Sequence, residues 1–143
     1  MVKRERQIAN TSQYGKERYC TYTDVIKRYH QALANGYYLE AITLMESIIS
    51  DRLESYLIRM TSDNKYSFNT LGQLIQGLTC IGDTHMPISD ILIWKNNRNA
   101  SLHEMAKIED GKYRDFGTKY SDAKNCADEG YELFRKIDAI CRK

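Results

Sequence analysis

Pro87 is the only proline in this chain of 143 residues, and only eight glycines accompany it. Proline breaks the hydrogen-bond ladders of helix and sheet alike, and glycine weakens both. Long uninterrupted helices are therefore open to the chain. The apolar residues show that it uses them. From Tyr37 to Met60 they fall at Leu39, Ile42, Ile49, Leu53, Tyr56 and Met60, the three-and-four spacing of one helix face. Few stretches alternate strictly between apolar and polar, so a sheet has little support. The expected fold class is all-α.

Start and stop signals divide the chain into about five helices. Thr23-Asp24 is a capping pair, and Asn35-Gly36 is a helix stop, which bounds the first. The second runs from about Tyr37 to Met60, with Glu46 on its apolar seam where an aliphatic is expected, and ends at the loop signal Thr61-Ser62-Asp63-Asn64. A third covers about Asn69 to Cys80, facing Leu71, Leu74, Ile75 and Leu78 inward, before the turn at Gly82-Asp83-Thr84. Pro87 sits where proline is tolerated, at the entrance of a fourth helix reaching about Ile108, with Ser89 or Asp90 as cap candidates. Asp110-Gly111 separates it from a last helix over roughly Lys112 to Cys141, whose stripe includes Phe116, Tyr120, Ala123, Ala127, Tyr131 and Phe134. Brief polar turns between such helices predict an antiparallel bundle forming a single domain over residues 23–143. Residues 1–22 are polar, setting Lys3, Arg4, Arg6, Lys16 and Arg18 against Glu5 and Glu17. They read as a loosely docked arm or as one that touches phosphates.

Composition excludes several classes. Apolar residues make up 42% and charged residues 28%, which is globular rather than disordered. A formal net charge of +2 neither announces nor forbids nucleic acid, since clustering matters more than the total. No apolar run approaches the roughly 20 residues that span a bilayer, and no signal-peptide pattern opens the chain. Cys20, Cys80, Cys126 and Cys141 form no Cys-x-x-Cys pair and read as reduced thiols, mostly small core residues. Cytoplasmic location without a membrane is the expectation.

The chemistry concentrates in one stretch, Trp94-Lys95-Asn96-Asn97-Arg98-Asn99-Ala100-Ser101-Leu102-His103-Glu104. The fourth helix's stripe reads Ile91, Trp94, Leu102, Met105, Ile108, and Arg98 fills the missing place. A guanidinium there needs a partner or an anion. The neighbouring asparagines are weak helix formers and suggest a local break or a demand for amides. Asn99 and His103 share a face, whereas Arg98 and His103 stand about 140° apart around a straight helix. A distortion at the asparagines, the reach of the arginine, or a second copy of the helix across a two-fold axis closes that gap.

Arg98-Asn99-x-x-x-His103 resembles the R-x4-6-H motif of the HEPN superfamily, including its frequent Asn after the Arg. Gly36-Tyr37-Tyr38-Leu39-Glu40-Ala41, Met45-Glu46-Ser47-Ile48-Ile49 and Asp51-Arg52-Leu53-Glu54 are similar to that family's long second helix. The likeness spans roughly residues 23 to 141. It implies a metal-independent endoribonuclease, a homodimer with the Arg and His of both subunits in one cleft, with RNA as substrate and no cofactor. RNA carries its own nucleophile, the 2′-hydroxyl, so the protein need only position it and move protons. Imidazoles ordinarily titrate near neutrality, which suits His103 as general acid or base. Arg98 would grip a non-bridging oxygen and offset the growing charge. Asn99 would orient His103 or the phosphate, and Glu46, at the family's acidic position, would hold Arg98. The products would be a 2′,3′-cyclic phosphate and a 5′-hydroxyl. A toxin or phage-defence effector is the implied role, with an antitoxin such as a nucleotidyltransferase-type protein as partner. HEPN toxins with that partner often carry R-x4-H-x-Y, whose tyrosine the partner modifies; Met105 stands in that place here.

The competing readings are a non-catalytic HEPN-like module that binds nucleic acid or nucleotide, and a protein-interaction domain with Arg98 paired internally. Asp83 and His85 lie close together but have no third ligand at helix or hairpin spacing, so a metal site there is not expected. Trp94 reads as a core anchor, and Tyr29, Tyr56, Tyr120 and Tyr131 as core rather than base-stacking rings. A Walker loop, a Rossmann fingerprint and a nucleophile elbow are all missing.

Overall fold

The computed structural model describes residues 12–107 and 113–142. Five α-helices follow one another: α1 (Ser12–Ala34), α2 (Tyr38–Thr61), α3 (Leu71–Cys80), α4 (Ile88–His103) and α5 (Phe116–Cys141). A single 3₁₀ turn, Asn64–Tyr66, joins α2 to α3, and the described residues contain no strand. None of the helices is long and apolar enough to cross a membrane.

The heart of the fold is α2, which packs against α1, α3, α4 and α5. Ile42, Met45, Ile49, Leu53 and Leu57 on it are fully buried, and each such side chain stabilises the fold by roughly 1.5–3 kcal/mol. Side chains of all five helices share one buried cluster, reaching Tyr29 on α1, Leu74 on α3, Trp94 on α4 and Ile137 on α5.

Glycine stops both α1 and α3 by the same device. At the end of α1, Gly36 takes φ +76°, its N–H bonds Leu33 O at 3.2 Å, and the Tyr37 N–H bonds Ala32 O at 2.8 Å. At the end of α3, Gly82 takes φ +67°, with Gly82 N–H on Thr79 O and Asp83 N–H on Leu78 O, both at 3.0 Å. These paired bonds satisfy carbonyls that a helix end otherwise orphans. The start of α3 is fixed by a capping box, with Thr70 and Gln73 bonding each other's backbone N–H.

Several boundaries differ from the sequence expectation. The first helix begins at Ser12 and not at Thr23, so part of the expected arm is helical; residues 1–11 lie outside the described residues. Polar bonds dock this extension. The Arg18 guanidinium donates to Ser55 Oγ at 3.0 Å and lies 3.5 Å from Asp51, while Tyr22 donates to Asp51. A search for apolar periodicity does not register such contacts. The fourth helix ends at His103, short of Met105, and Ile108 and Asp110-Gly111 lie outside the described residues. Its cap is Pro87 rather than Ser89 or Asp90. The last helix starts at Phe116, where Asp115 accepts a bond from the Thr118 N–H at 2.7 Å and so serves as the N-cap.

Trp94 anchors α4 to α5. Its indole is 3% exposed, its Nε1–H donates to Cys126 O at 2.9 Å, and its ring fills the space above Gly130. A Cβ on Gly130 would stand 2.9 Å from that ring. Glycine-to-alanine exchange in a helix ordinarily gains about 1 kcal/mol; here overpacking reverses the sign. Gly130→Ala is expected to lose about 1–3 kcal/mol in urea denaturation, and a raised midpoint would contradict the close seat of Trp94.

The four thiols divide evenly, correcting the expectation that most are core. Cys126 and Cys141 are buried, whereas Cys20 and Cys80 are exposed. Burial pushes the Cys126 thiol up to about 11 and raises that of Cys141 too. Thiolate is the reactive form. Under native conditions a disulfide reagent is expected to titrate Cys20 and Cys80 rapidly, and the buried pair only after denaturation.

Candidate functional site

α4 runs without interruption through Asn96, Asn97 and Asn99, so no break at the asparagines rearranges its faces. Ile91, Trp94 and Ser101 point into the bundle, with Leu102 half-buried. Arg98 occupies the inward position left in that stripe. Its guanidinium reaches α2, where Nη2 lies 2.8 Å from Glu46 Oε1. The side chains are 12% and 25% exposed, respectively. The two anomalies of the apolar seams, a carboxylate on the second helix and an arginine on the fourth, thus answer each other. The Nε of Arg98 is buried without a hydrogen-bond partner.

His103 lies elsewhere. It is the last residue of α4 and is exposed, and no side-chain hydrogen bond or ion pair joins its imidazole to another described residue. This divergence follows from the five-residue separation on a straight helix. Within one chain the guanidinium is turned inward and the imidazole outward. Asn99 is half-buried, and its side-chain amide is not joined to the His103 imidazole. The arrangement brings together Arg98 and Glu46, and leaves Asn99 and His103 apart from that pair.

Further groups around this end of α4 were not found from the sequence. Lys119 of α5 donates its ammonium to three carbonyls beyond the helix, Glu104 O at 3.3 Å, Met105 O at 3.2 Å and Lys107 O at 2.6 Å. A cation at a helix C-terminus satisfies orphaned acceptors and complements the dipole. Beside it lies a cavity of about 290 Å³, lined among others by Ala100, Ser101, Glu104, Arg114 and Lys119. Neither Arg98 nor His103 lines it. The buried Cys126 thiol faces Arg98 and Ser101. Burial and the Glu129 charge raise its pKa, while the Ser101 hydroxyl and the guanidinium act against that rise. Helical periodicity gives no sign of these cross-helix contacts, because Lys119 and Cys126 lie on a different helix from the motif.

The pair Asp83 and His85 has a structural explanation. Asp83 accepts hydrogen bonds from the backbone N–H groups of His85 at 3.1 Å and Met86 at 2.7 Å, and from the Tyr56 hydroxyl. Its carboxylate pins the α3–α4 turn to α2.

No protein-family model matches the chain, and neither a curated protein nor a solved structure does.

Breaking one side of the Arg98–Glu46 pair strands a largely buried charge. Loss of a partner from a fully buried pair costs about 3–5 kcal/mol; the exposure of Glu46 reduces this to about 1–3 kcal/mol. Glu46→Leu is expected to lower stability by that amount in chemical denaturation. The double variant Glu46→Leu with Arg98→Leu should recover most of it, because no charge is then stranded. Additive losses would show that the two groups are not energetically coupled.

Proposed function

We propose that the chain is a metal-independent endoribonuclease of the HEPN kind, acting as a homodimer. The observation that carries the reading is the 2.8 Å contact between Arg98 and Glu46. It supports a role in which a carboxylate on the second helix holds the motif arginine in place. The exposed His103 at the end of the same helix supplies a proton carrier.

Because Arg98 and His103 diverge around α4, one copy cannot offer both to a single phosphodiester without a partner. In the proposed dimer the two α4 helices face each other across a two-fold axis. One His103 takes the proton from the 2′-hydroxyl as its oxygen attacks phosphorus. The second His103 gives a proton to the departing 5′-oxygen. Bonding of Glu46 to one of the five guanidinium donors leaves others for the phosphorane oxygens. The products are a 2′,3′-cyclic phosphate and a 5′-hydroxyl, and water is not consumed. Asn99 serves as an amide donor to the phosphate. The role is that of a cytoplasmic toxin or defence effector held in check by an antitoxin; Met105 removes the tyrosine that a nucleotidyltransferase-type antitoxin would modify.

A second reading has its own observation. The Arg98 side chain is only 12% exposed, and α2 makes another interior ion pair, Arg52 Nε to Asp138 Oδ1 at 2.8 Å. Arg98–Glu46 would then be a strut, and the protein a non-catalytic binding or interaction module.

Single-stranded RNA incubated with the protein in excess chelator separates the two. Cleavage to cyclic-phosphate ends is expected, falling at least about 100-fold in Arg98→Ala and in His103→Ala. His103→Ala should keep the wild-type melting temperature, since the side chain is exposed. Full activity in His103→Ala, or an inert wild type, would overturn the nuclease reading in favour of the strut.

A further inference from the structure

The end of the bundle that carries His103 also carries a cluster of exposed aromatic rings that core packing does not account for. Phe116, the first residue of α5, belongs to that helix's apolar stripe by spacing, yet it is 64% exposed. Tyr113 is 80% exposed and Tyr37 59% exposed. Behind Phe116 the rings form a step. Phe116 stacks on Tyr120 with centroids 5.9 Å apart and planes 21° from parallel, and Tyr120 meets Tyr38 at 4.7 Å. The Tyr120 hydroxyl donates to Gly36 O, which ties the step to the α1–α2 turn. Tyr120 is therefore half-buried support, as its stripe position suggests, and Phe116 is the free tread above it.

The surroundings of the step are polar and carry charges of both signs. Arg114 is half-exposed and paired with Asp122, Asp115 caps the helix beside Phe116, Lys107 is exposed, and Lys119 stands one residue from Tyr120 while it clamps the backbone beyond His103. The amino end of α5 adds partial positive charge. The exposed aliphatic residues Leu92 and Ile93 lie in the first half of α4 instead. An exposed flat ring backed by a stacked ring, with polar and charged side chains around it, matches how proteins hold unpaired bases. A protein partner would more often meet mixed aliphatic and aromatic side chains. A duplex offers no free base faces to such a step.

We propose that Phe116, supported by Tyr120 and Tyr38, is a stacking platform for an unpaired base of single-stranded RNA. It deepens the nuclease reading, on which it rests for the identity of the strand, by naming single strands as substrate and Phe116 as the residue that selects them. The base stacks on the open face of Phe116, Lys107 meets an adjoining phosphate, and Arg114 exchanges Asp122 for another. Phe116 is a binding residue that takes no part in the chemistry.

The test separates binding from cutting. A fluorescent 2′-O-methyl single strand lacks the nucleophile, so its anisotropy reports affinity whether or not the protein is a nuclease. Phe116→Ala and Phe116→Leu are each expected to weaken binding roughly 5- to 100-fold, and Phe116→Trp to retain it. Melting temperatures should stay at the wild-type value, and the matching duplex should bind weakly to all four proteins. Equal binding by wild type and Phe116→Ala would overturn the platform. Retention by Phe116→Leu would do so too, because it would show apolar contact rather than stacking. Failure of wild type to bind the single strand has the same result. Phe116-dependent binding together with no cleavage of unmodified RNA would support the platform and overturn the nuclease reading.

Discussion

Burial of α2 on nearly every side is the constraint from which the other positions follow. A helix so enclosed leaves little water for the charged side chains that face its neighbours, so those gain from a partner on a neighbouring element. Glu46 finds Arg98 on α4, Arg52 finds Asp138 on α5, and Glu54 accepts the Phe68 N–H from the loop before α3. Aliphatic packing tolerates small slips between helices, whereas a hydrogen-bonded ion pair does not. The charged residues of α2 therefore set the register of its neighbours, and the apolar residues supply most of the free energy. The arginine of the motif owes its place to this arrangement, whatever chemistry it serves.

Much of the fold was legible because it depends on local rules. The span of α2 follows from apolar spacing, and the ends of α1 and α3 follow from glycines whose positive φ is needed for the closing bonds. The early turns of α1 escaped because Arg18 and Tyr22 dock through polar bonds to residues on another helix. The extent of α4 was overestimated because Met105 continues the apolar pattern after the helix has stopped at His103. Periodicity describes a face and does not see the capping that ends it.

The candidate site was partly legible for the same reasons. A gap in one stripe and a misplaced carboxylate in another pointed to Arg98 and Glu46, and the structure pairs them. The angle between Arg98 and His103 also followed from helix geometry alone. Ser101, Cys126, Lys119 and the exposed face of Phe116 were not readable, because each depends on where α5 lies against α4 and α2. Phe116 shows the limit most clearly: spacing assigns it to the core stripe, yet as the first residue of α5 it lies beyond the neighbouring helices that would cover it.

The clamp made by Lys119 changes how the end of α4 should move. Helix termini usually fray one residue at a time, each terminal carbonyl exchanging its bond for water. Here a single ammonium gathers the carbonyls of Glu104, Met105 and Lys107. Release of that one contact would free the stretch after α4 as a unit, while the helix end, closed by the Glu104 N–H on Ala100 O, stays intact. The backbone just past His103 is thereby tied to the opening turns of α5, a link separate from the packing of the buried cluster.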